Sequence, residues 1–220
     1  MVDQLNFEKL KARHRGIRDD FPQALSLRIH RALSWLKRAE QETEDDDARF
    51  IFLWIAFNAA YSNEIHEELK FSEVRVFLHF LSRLIDPDNT RLLYQIVWKE
   101  FPGSIRLLID NKYVFPPFWE YTKGRLTAEE WQDSFARSKS SASRALGRMN
   151  TRTVLAVIFD RLYVLRNQLM HGSATWNSSV NRDQVRDSAN ILGQLVPAII
   201  SIMLDSSSEV WGDPRYPVVD

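Results

Sequence analysis

Cysteine is absent from the 220 residues. That excludes disulfides, thiolate nucleophiles and thiolate zinc sites, and it suits a reducing compartment. Glycine and proline are scarce, at seven and eight, so tight turns are few, and the apolar residues recur at intervals of three and four rather than two. A β-rich fold is excluded on this reading, and the chain is expected to be all-α. Neither sign of charge dominates, with 29 basic against 29 acidic residues; a histone-like polycation is ruled out, but charge segregated onto one face is not. There is no glycine-rich phosphate loop and no serine elbow. His66, Glu67 and Glu68 lack a second histidine at ligand spacing, so no metal is expected. The N-terminus has no basic start leading into an apolar run, and the longest apolar stretch, Phe50 to Tyr61, falls short of the roughly 20 residues that span a bilayer. The expectation is a cytoplasmic protein without a membrane partner, a cofactor or a metal.

What is present is enough for a core: 45% of the residues are apolar and 26% charged, far from a disordered composition. Leu25, Ile29, Ala32, Leu33 and Leu36 stripe a helix that begins after Pro22, and the acidic run from Glu40 to Asp47 reads as its solvated exit. Asp46 or Asp47 is expected to cap the next helix. That helix, Phe50 to Tyr61, is apolar around its circumference and is the expected centre of the fold, with Asn58 inside it needing a hydrogen-bond partner. A third helix should run from about Ser72 to Ile85, ahead of Asp86-Pro87. His79, between Phe77, Leu78 and Phe80, reads as partly buried.

From 88 to 147 the pattern is irregular, as an insertion would be. Short helical pieces near 92–98 and 105–109 precede an aromatic stretch around Pro116-Pro117, which bars a continuous helix. Those aromatics read as anchors to a core rather than as a base-stacking platform. Thr127 and Glu130 form a capping box for a short helix reaching Arg137. Two long helices follow. Leu155, Ile158, Leu162, Leu165 and Leu169 stripe the first, which Gly172 ends. Val185, Ala189, Leu192, Val196, Ile199 and Met203 stripe the second, opened by Asn181 and Gln184. The single domain is expected to cover 1–205, with 206–220 an irregular tail.

The first of these long helices ends Arg166-Asn167-Gln168-Leu169-Met170-His171. At about 100° per residue, Arg166 falls inside an apolar arc wider than one packed face needs, with Asn167 and His171 at its margin, so a second surface is expected to dock there. A cation on such an arc is costly without an anion, and a phosphate suits the guanidinium fork. His171, in the last turn, is placed to act as acid or base, and Asn167, four residues away, can orient it or a phosphate. Arg166 and His171 diverge by about 140° around the axis, so a two-fold dimer is the simplest way to bring both to one cleft.

These residues, an Arg-Asn-x-x-x-His motif near the end of an apolar helix followed by one last helix, together with Trp54-Ile55-Ala56-Phe57-Asn58-Ala59-Ala60-Tyr61, resemble the HEPN superfamily, in particular its Apea-like branch. The resemblance implies a HEPN-like helical bundle with an irregular inserted middle segment. It also implies a homodimer through the motif helix and a metal-independent endoribonuclease that leaves a 2′,3′-cyclic phosphate. Arg166, Asn167 and His171 would be its catalytic residues. Asn58, read from its place in an apolar helix as a structural residue, is expected to buttress the motif helix. Toxin or phage-defence roles follow by the same resemblance, with a nucleotidyltransferase-type antitoxin as a partner. In one branch that antitoxin modifies a tyrosine two residues after the histidine; here that position is Ser173.

Between Ser134 and Arg152 the chain carries Arg137, Lys139, Arg144, Arg148 and Arg152 and no acidic residue. Interleaved with serine and alanine, they read as a flexible or weakly helical segment that could follow an RNA backbone. Two alternatives stand beside the nuclease: a catalytically silent HEPN module binding nucleotide, RNA or a partner protein, and a structural dimer in which Arg166 pairs with a carboxylate such as Asp160.

Overall fold

The computed structural model describes residues 5–61, 73–207, 211, 212 and 214. Among them are ten α-helices and no strand, so the fold is all-α. The chain divides into two compact units, Met1–Leu92 with Trp176–Asp220, and Leu93–Thr175.

The first unit is built from α1 (Phe7–Ile17), α2 (Gln23–Glu40), α3 (Asp46–Tyr61), α4 (Glu73–Ile85) and α10 (Arg182–Asp205). Helices α2 and α3 form a hairpin against which α10 and α1 pack. Phe50, Leu53, Trp54, Ala56, Phe57, Ala60 and Tyr61 of α3 are buried, each large side chain contributing on the order of 1.5–3 kcal/mol. The covering of α3 is not complete, since Ile51, Phe52 and Ile55 are half-buried. Its cap is Asp45 rather than Asp46 or Asp47: Asp45 Oδ1 accepts from the Ala48 amide at 2.9 Å. Asp47, expected in a solvated run, is instead buried and paired with Arg182. Gly193 of α10 faces Arg49 of α3, where a Cβ would sit 2.8 Å from the guanidinium; Arg49 reaches Asn190 Oδ1 at 2.8 Å.

Helix α10 is the one described helix long and apolar enough to cross a membrane, but 78% of its most apolar window is buried in the protein, as a core helix would be. It is continuous through Pro197. The expected capping box is not formed at its start: Asn181 makes no side-chain cap, and its Oδ1 is buried without a partner. The tail after Asp205 has no helix among its described residues, yet Trp211 is buried. His79 is exposed rather than partly buried. His66, Glu67, Glu68 and Ser72 lie outside the described residues.

The second unit contains α5 (Leu92–Gln95) running into a π-helical turn (Ile96–Glu100), then α6 (Pro102–Asp110), a 3₁₀ turn (Lys112–Val114), α7 (Pro116–Thr122), α8 (Ala128–Gly147) and α9 (Thr151–Met170). The prolines that bar a continuous helix serve as the first turn of α7, where their missing amides cost nothing. Tyr113, Phe115, Phe118, Trp119, Tyr121, Trp131 and Phe135 are joined by ring contacts with centroids 5.1–6.2 Å apart. The aromatics thus mainly meet one another. The capping box of Thr127 and Glu130 forms, but its helix continues past Arg137 to Gly147. The stretch read as flexible is therefore largely regular helix.

Helix α9 lies against α8, α6, the 3₁₀ turn and the π turn. Val154, Leu155, Ile158, Phe159, Leu162, Val164 and Leu165 are buried along it, so the expected stripe is present up to Leu165, while Leu169, its last member, is half-buried. Arg161 is buried in the same face, fully enclosed. Its guanidinium stacks 4.5 Å over Phe115 and donates to Ser138 Oγ at 2.9 Å.

Candidate functional site

The end of α9 is fixed by backbone chemistry. Gly172 has φ +68, a left-handed conformation that glycine adopts without a Cβ penalty. The Ser173 amide donates to the Gln168 carbonyl at 2.8 Å and the Gly172 amide to Leu169 at 3.3 Å. This pair of bonds is a Schellman motif and stops the helix with His171 as its C-cap. The histidine thus stands at the negative end of the helix macrodipole, exposed, with no hydrogen bond to its ring among the described residues.

Arg166 is half-buried one turn earlier, and its Nη1 donates to Asn167 Oδ1 at 2.9 Å. Its Nε is buried without a partner, and no carboxylate pairs with it among the described residues. Asp160, suggested by sequence as its counter-ion, pairs with Arg161 instead, at 3.5 Å. Burial pushes the Asp160 carboxyl up, against the pull of Arg161, and pushes the Arg161 guanidinium down. The neutralising partner is therefore spent on the enclosed arginine, and Arg166 keeps its charge unmatched. Met170, on the same edge of α9, is 47% exposed, as is expected of an apolar arc only partly covered within the chain. Phe159, which falls within about 20° of Arg166 around the same axis, is fully buried.

The basic segment is organised by α8. Arg137, Arg144 and Arg148 fall within about 40° around its axis and all three are exposed. Arg144 Nη1 donates to Ser140 Oγ at 3.3 Å. Arg152, also exposed, opens α9. Lys139 departs from the group: it points elsewhere and is paired with Asp110 at 2.8 Å. The face has a sign gradient as well, because Glu129, Glu130 and Asp133 occupy its first turns. Acid at the start and base at the end both match the helix dipole, so stability alone accounts for part of this pattern.

Beside α8, a groove of about 400 Å³ is lined by Arg106, Ile109 and Asp110 of α6 and by Ser143, Leu146 and Gly147 of α8. Sequence reasoning passed over Arg106, whose exposed guanidinium has no ion pair among the described residues. Its only signal in the sequence was a basic residue in the short helical piece expected near 105–109. Asn58 belongs to the first unit and the motif helix to the second; Asn58 Oδ1 is buried without the partner expected of it. No group of histidine and carboxylate side chains that could hold a metal occurs among the described residues. In comparisons with known proteins, no family model, curated protein or solved structure matches this chain.

Proposed function

We propose that this chain is a metal-independent endoribonuclease of HEPN type, acting by 2′-hydroxyl transesterification at a site shared by two copies. The observation that carries this reading is Arg166: a half-buried cation, bonded to Asn167, with no carboxylate to match it among the described residues and an exposed His171 at the end of the same helix. A phosphodiester supplies the missing anion. One imidazole takes the 2′-hydroxyl proton as the 2′-oxygen attacks phosphorus. The bond from phosphorus to the 5′-oxygen breaks, and the imidazolium of the second copy protonates the leaving oxygen. Arg166 stabilises charge growing on the phosphate oxygens, and Asn167 orients it. The products are a 2′,3′-cyclic phosphate and a 5′-hydroxyl. Arg137, Arg144, Arg148 and Arg152 would hold the flanking backbone. A toxin or phage-defence setting, with an antitoxin of nucleotidyltransferase type as partner, belongs to the same proposal.

The test is incubation of the purified chain with mixed RNA and the matching DNA in chelator. Cleavage confined to RNA, falling by roughly 10² to 10⁴ in His171→Ala, is the expected result. Undiminished RNA cleavage in that variant removes the proposal. A second reading, a binding module without catalysis, is favoured by one observation: among the described residues no group fixes the tautomer of His171, whereas a general base is normally held by a partner. It predicts saturable RNA binding that weakens with salt and no scission by the unaltered chain.

A further inference from the structure

In the first unit, four side chains come together where α1 packs on α2. His14 of α1 is buried, 1% exposed, and its Nε2 lies 3.1 Å from Ser26 Oγ of α2. Its other ring nitrogen, Nδ1, is buried without a partner. One turn earlier on α1, Lys11 Nζ lies 3.1 Å from His30 Nδ1, one turn later on α2. Two residues three apart on one helix thus face two residues four apart on the other, so the four form one patch. His30 is exposed at its mouth and Lys11 is half-buried.

The charges around this patch are almost all of one sign. Arg15 follows Lys11 on the same edge of α1, Arg18 continues it in the 3₁₀ turn Arg18–Asp20, and Arg31 adjoins His30. Among the described residues Arg15 and Arg31 have no ion pair. Arg18 meets Asp19 at 3.6 Å, both well exposed; Asp20, in the same turn, is exposed. The counter-charge from α10 is used on the other side of α1, where Arg13 pairs with Asp205 and reaches Ser201 Oγ at 3.1 Å. Glu8 lies toward Glu40, whose carboxyl burial pushes up, with a further push from Glu8, against the pull of the Phe7 amide. Helix α2 adds the free amides of its first turn, which has no side-chain cap. The ionisation of the patch registers the imbalance: burial lowers His14, His30 and Lys11, and neighbouring cations lower each further.

Like charges do not gather at a helix junction without cost, and a bound anion would offset it. We propose that Lys11, Arg15 and His30, backed by Ser26 and the buried His14, form a binding site for the dianionic phosphate of a phosphomonoester, independent of the ribonuclease reading. The anion accepts from the Lys11 ammonium, the Arg15 guanidinium and the His30 Nε2–H, and the hydroxyl of Ser26 serves as a further donor. A bound dianion raises the proton affinity of His14 and His30, with His30 keeping its Nε2–H on the anion and turning Lys11 from its Nδ1 to the anion as it protonates, so an anion whose charge stays constant binds more tightly as pH falls.

The test is titration of the full chain, at constant ionic strength, with inorganic phosphate, adenosine 5′-monophosphate, adenosine and chloride, following the imidazole resonances of His14 and His30. Saturable shifts with the two phosphates at about 1 mM or below, and none with adenosine or chloride, are expected. Inorganic phosphate binding as well as the nucleotide marks a free-phosphate site; preference for the nucleotide marks a phosphomonoester site with contacts beyond the phosphate. Lys11→Met and His30→Asn, both at exposed or half-exposed positions, should each weaken binding about tenfold. Sulfate, whose charge is constant over this range, should bind tighter at pH 5.5 than at pH 7.5. Absence of a saturable shift, equal response to chloride, or unchanged affinity in both variants overturns the proposal.

Discussion

Nη1 of Arg166 donates to Oδ1 of Asn167 at 2.9 Å, so two consecutive residues of α9 present one joined polar group, while the guanidinium Nε is buried with no partner. Replacing the amide by a carboxylate would supply the missing anion from within. Asn167→Asp is expected to lower RNA affinity and any cleavage by roughly tenfold or more, since a charge-assisted bond to phosphate is worth about 1.5–3 kcal/mol. Stability should change by less than about 1 kcal/mol at this half-exposed position. Filter binding and urea denaturation read the two effects, and undiminished RNA affinity would separate Arg166 from phosphate recognition.

His14 links the first unit to pH. Burial, followed by Lys11, His30 and Arg18, holds its imidazole down to about 4 from an ordinary 6.5. The unfolded chain therefore takes up this proton near pH 6.5, and the folded chain does so only near 4. Stability contributed by neutral His14 is present above 6.5 and is lost as pH falls through that window, by up to about 3 kcal/mol. Melting temperature measured from pH 7 to pH 4 should fall, and His14→Gln should flatten the fall. An unaltered profile in the variant would assign the acid sensitivity elsewhere.

Arg161 is enclosed between Phe115, Asp160 and Ser138. Arg161→Ala removes the stack on Phe115 and empties a fully enclosed site; a loss of about 3 kcal/mol or more in urea denaturation is expected. Arg161→Met refills the volume, and it should recover more than half of that loss. Equal losses in the two variants would show that charge rather than packing sets the cost.

Arg28 is fully buried in the first unit, and its guanidinium donates to the carbonyls of Ala60, Trp211 and Gly212. Trp211 in turn packs edge-on to Phe80 at 5.7 Å and lies under Arg83. Trp211→Ala is expected to cost about 3–5 kcal/mol. Truncation after Ser206 should cost at least as much, because it also takes two acceptors from a buried cation. A truncated chain with the original denaturation midpoint would contradict this role.

Much of the helical order was legible in the residues. The stripe of α2, the stripe of α9, the box of Thr127 and Glu130 and the stop at Gly172 each depend on neighbours within about one turn, and such signals survive without knowledge of the rest. Caps and ends went wrong where two candidates stood side by side. Asp45, Asp46 and Asp47 are equivalent as a sequence, and the pairing of Asp47 with Arg182, 135 residues away, assigns the cap to Asp45. The basic stretch looked weakly ordered because serine and alanine interrupt it, yet one face of α8 carries its arginines and another seats Ala142 and Ala145 in the interior.

The sequence by itself determined that the chain is helical and that Arg166, Asn167 and His171 share the last turns of one helix, because helix periodicity is a local property of the backbone; that Arg137, Arg144 and Arg148 share a face came only with the full length of α8. Only the tertiary structure decided which charges are spent. Asp160 goes to Arg161, Asp110 to Lys139 and Asp205 to Arg13, while Arg166 and the patch around His14 and His30 are left without a matching carboxylate among the described residues. Pairing depends on through-space distance and on the desolvation that burial imposes, and neither quantity is written in the order of the residues.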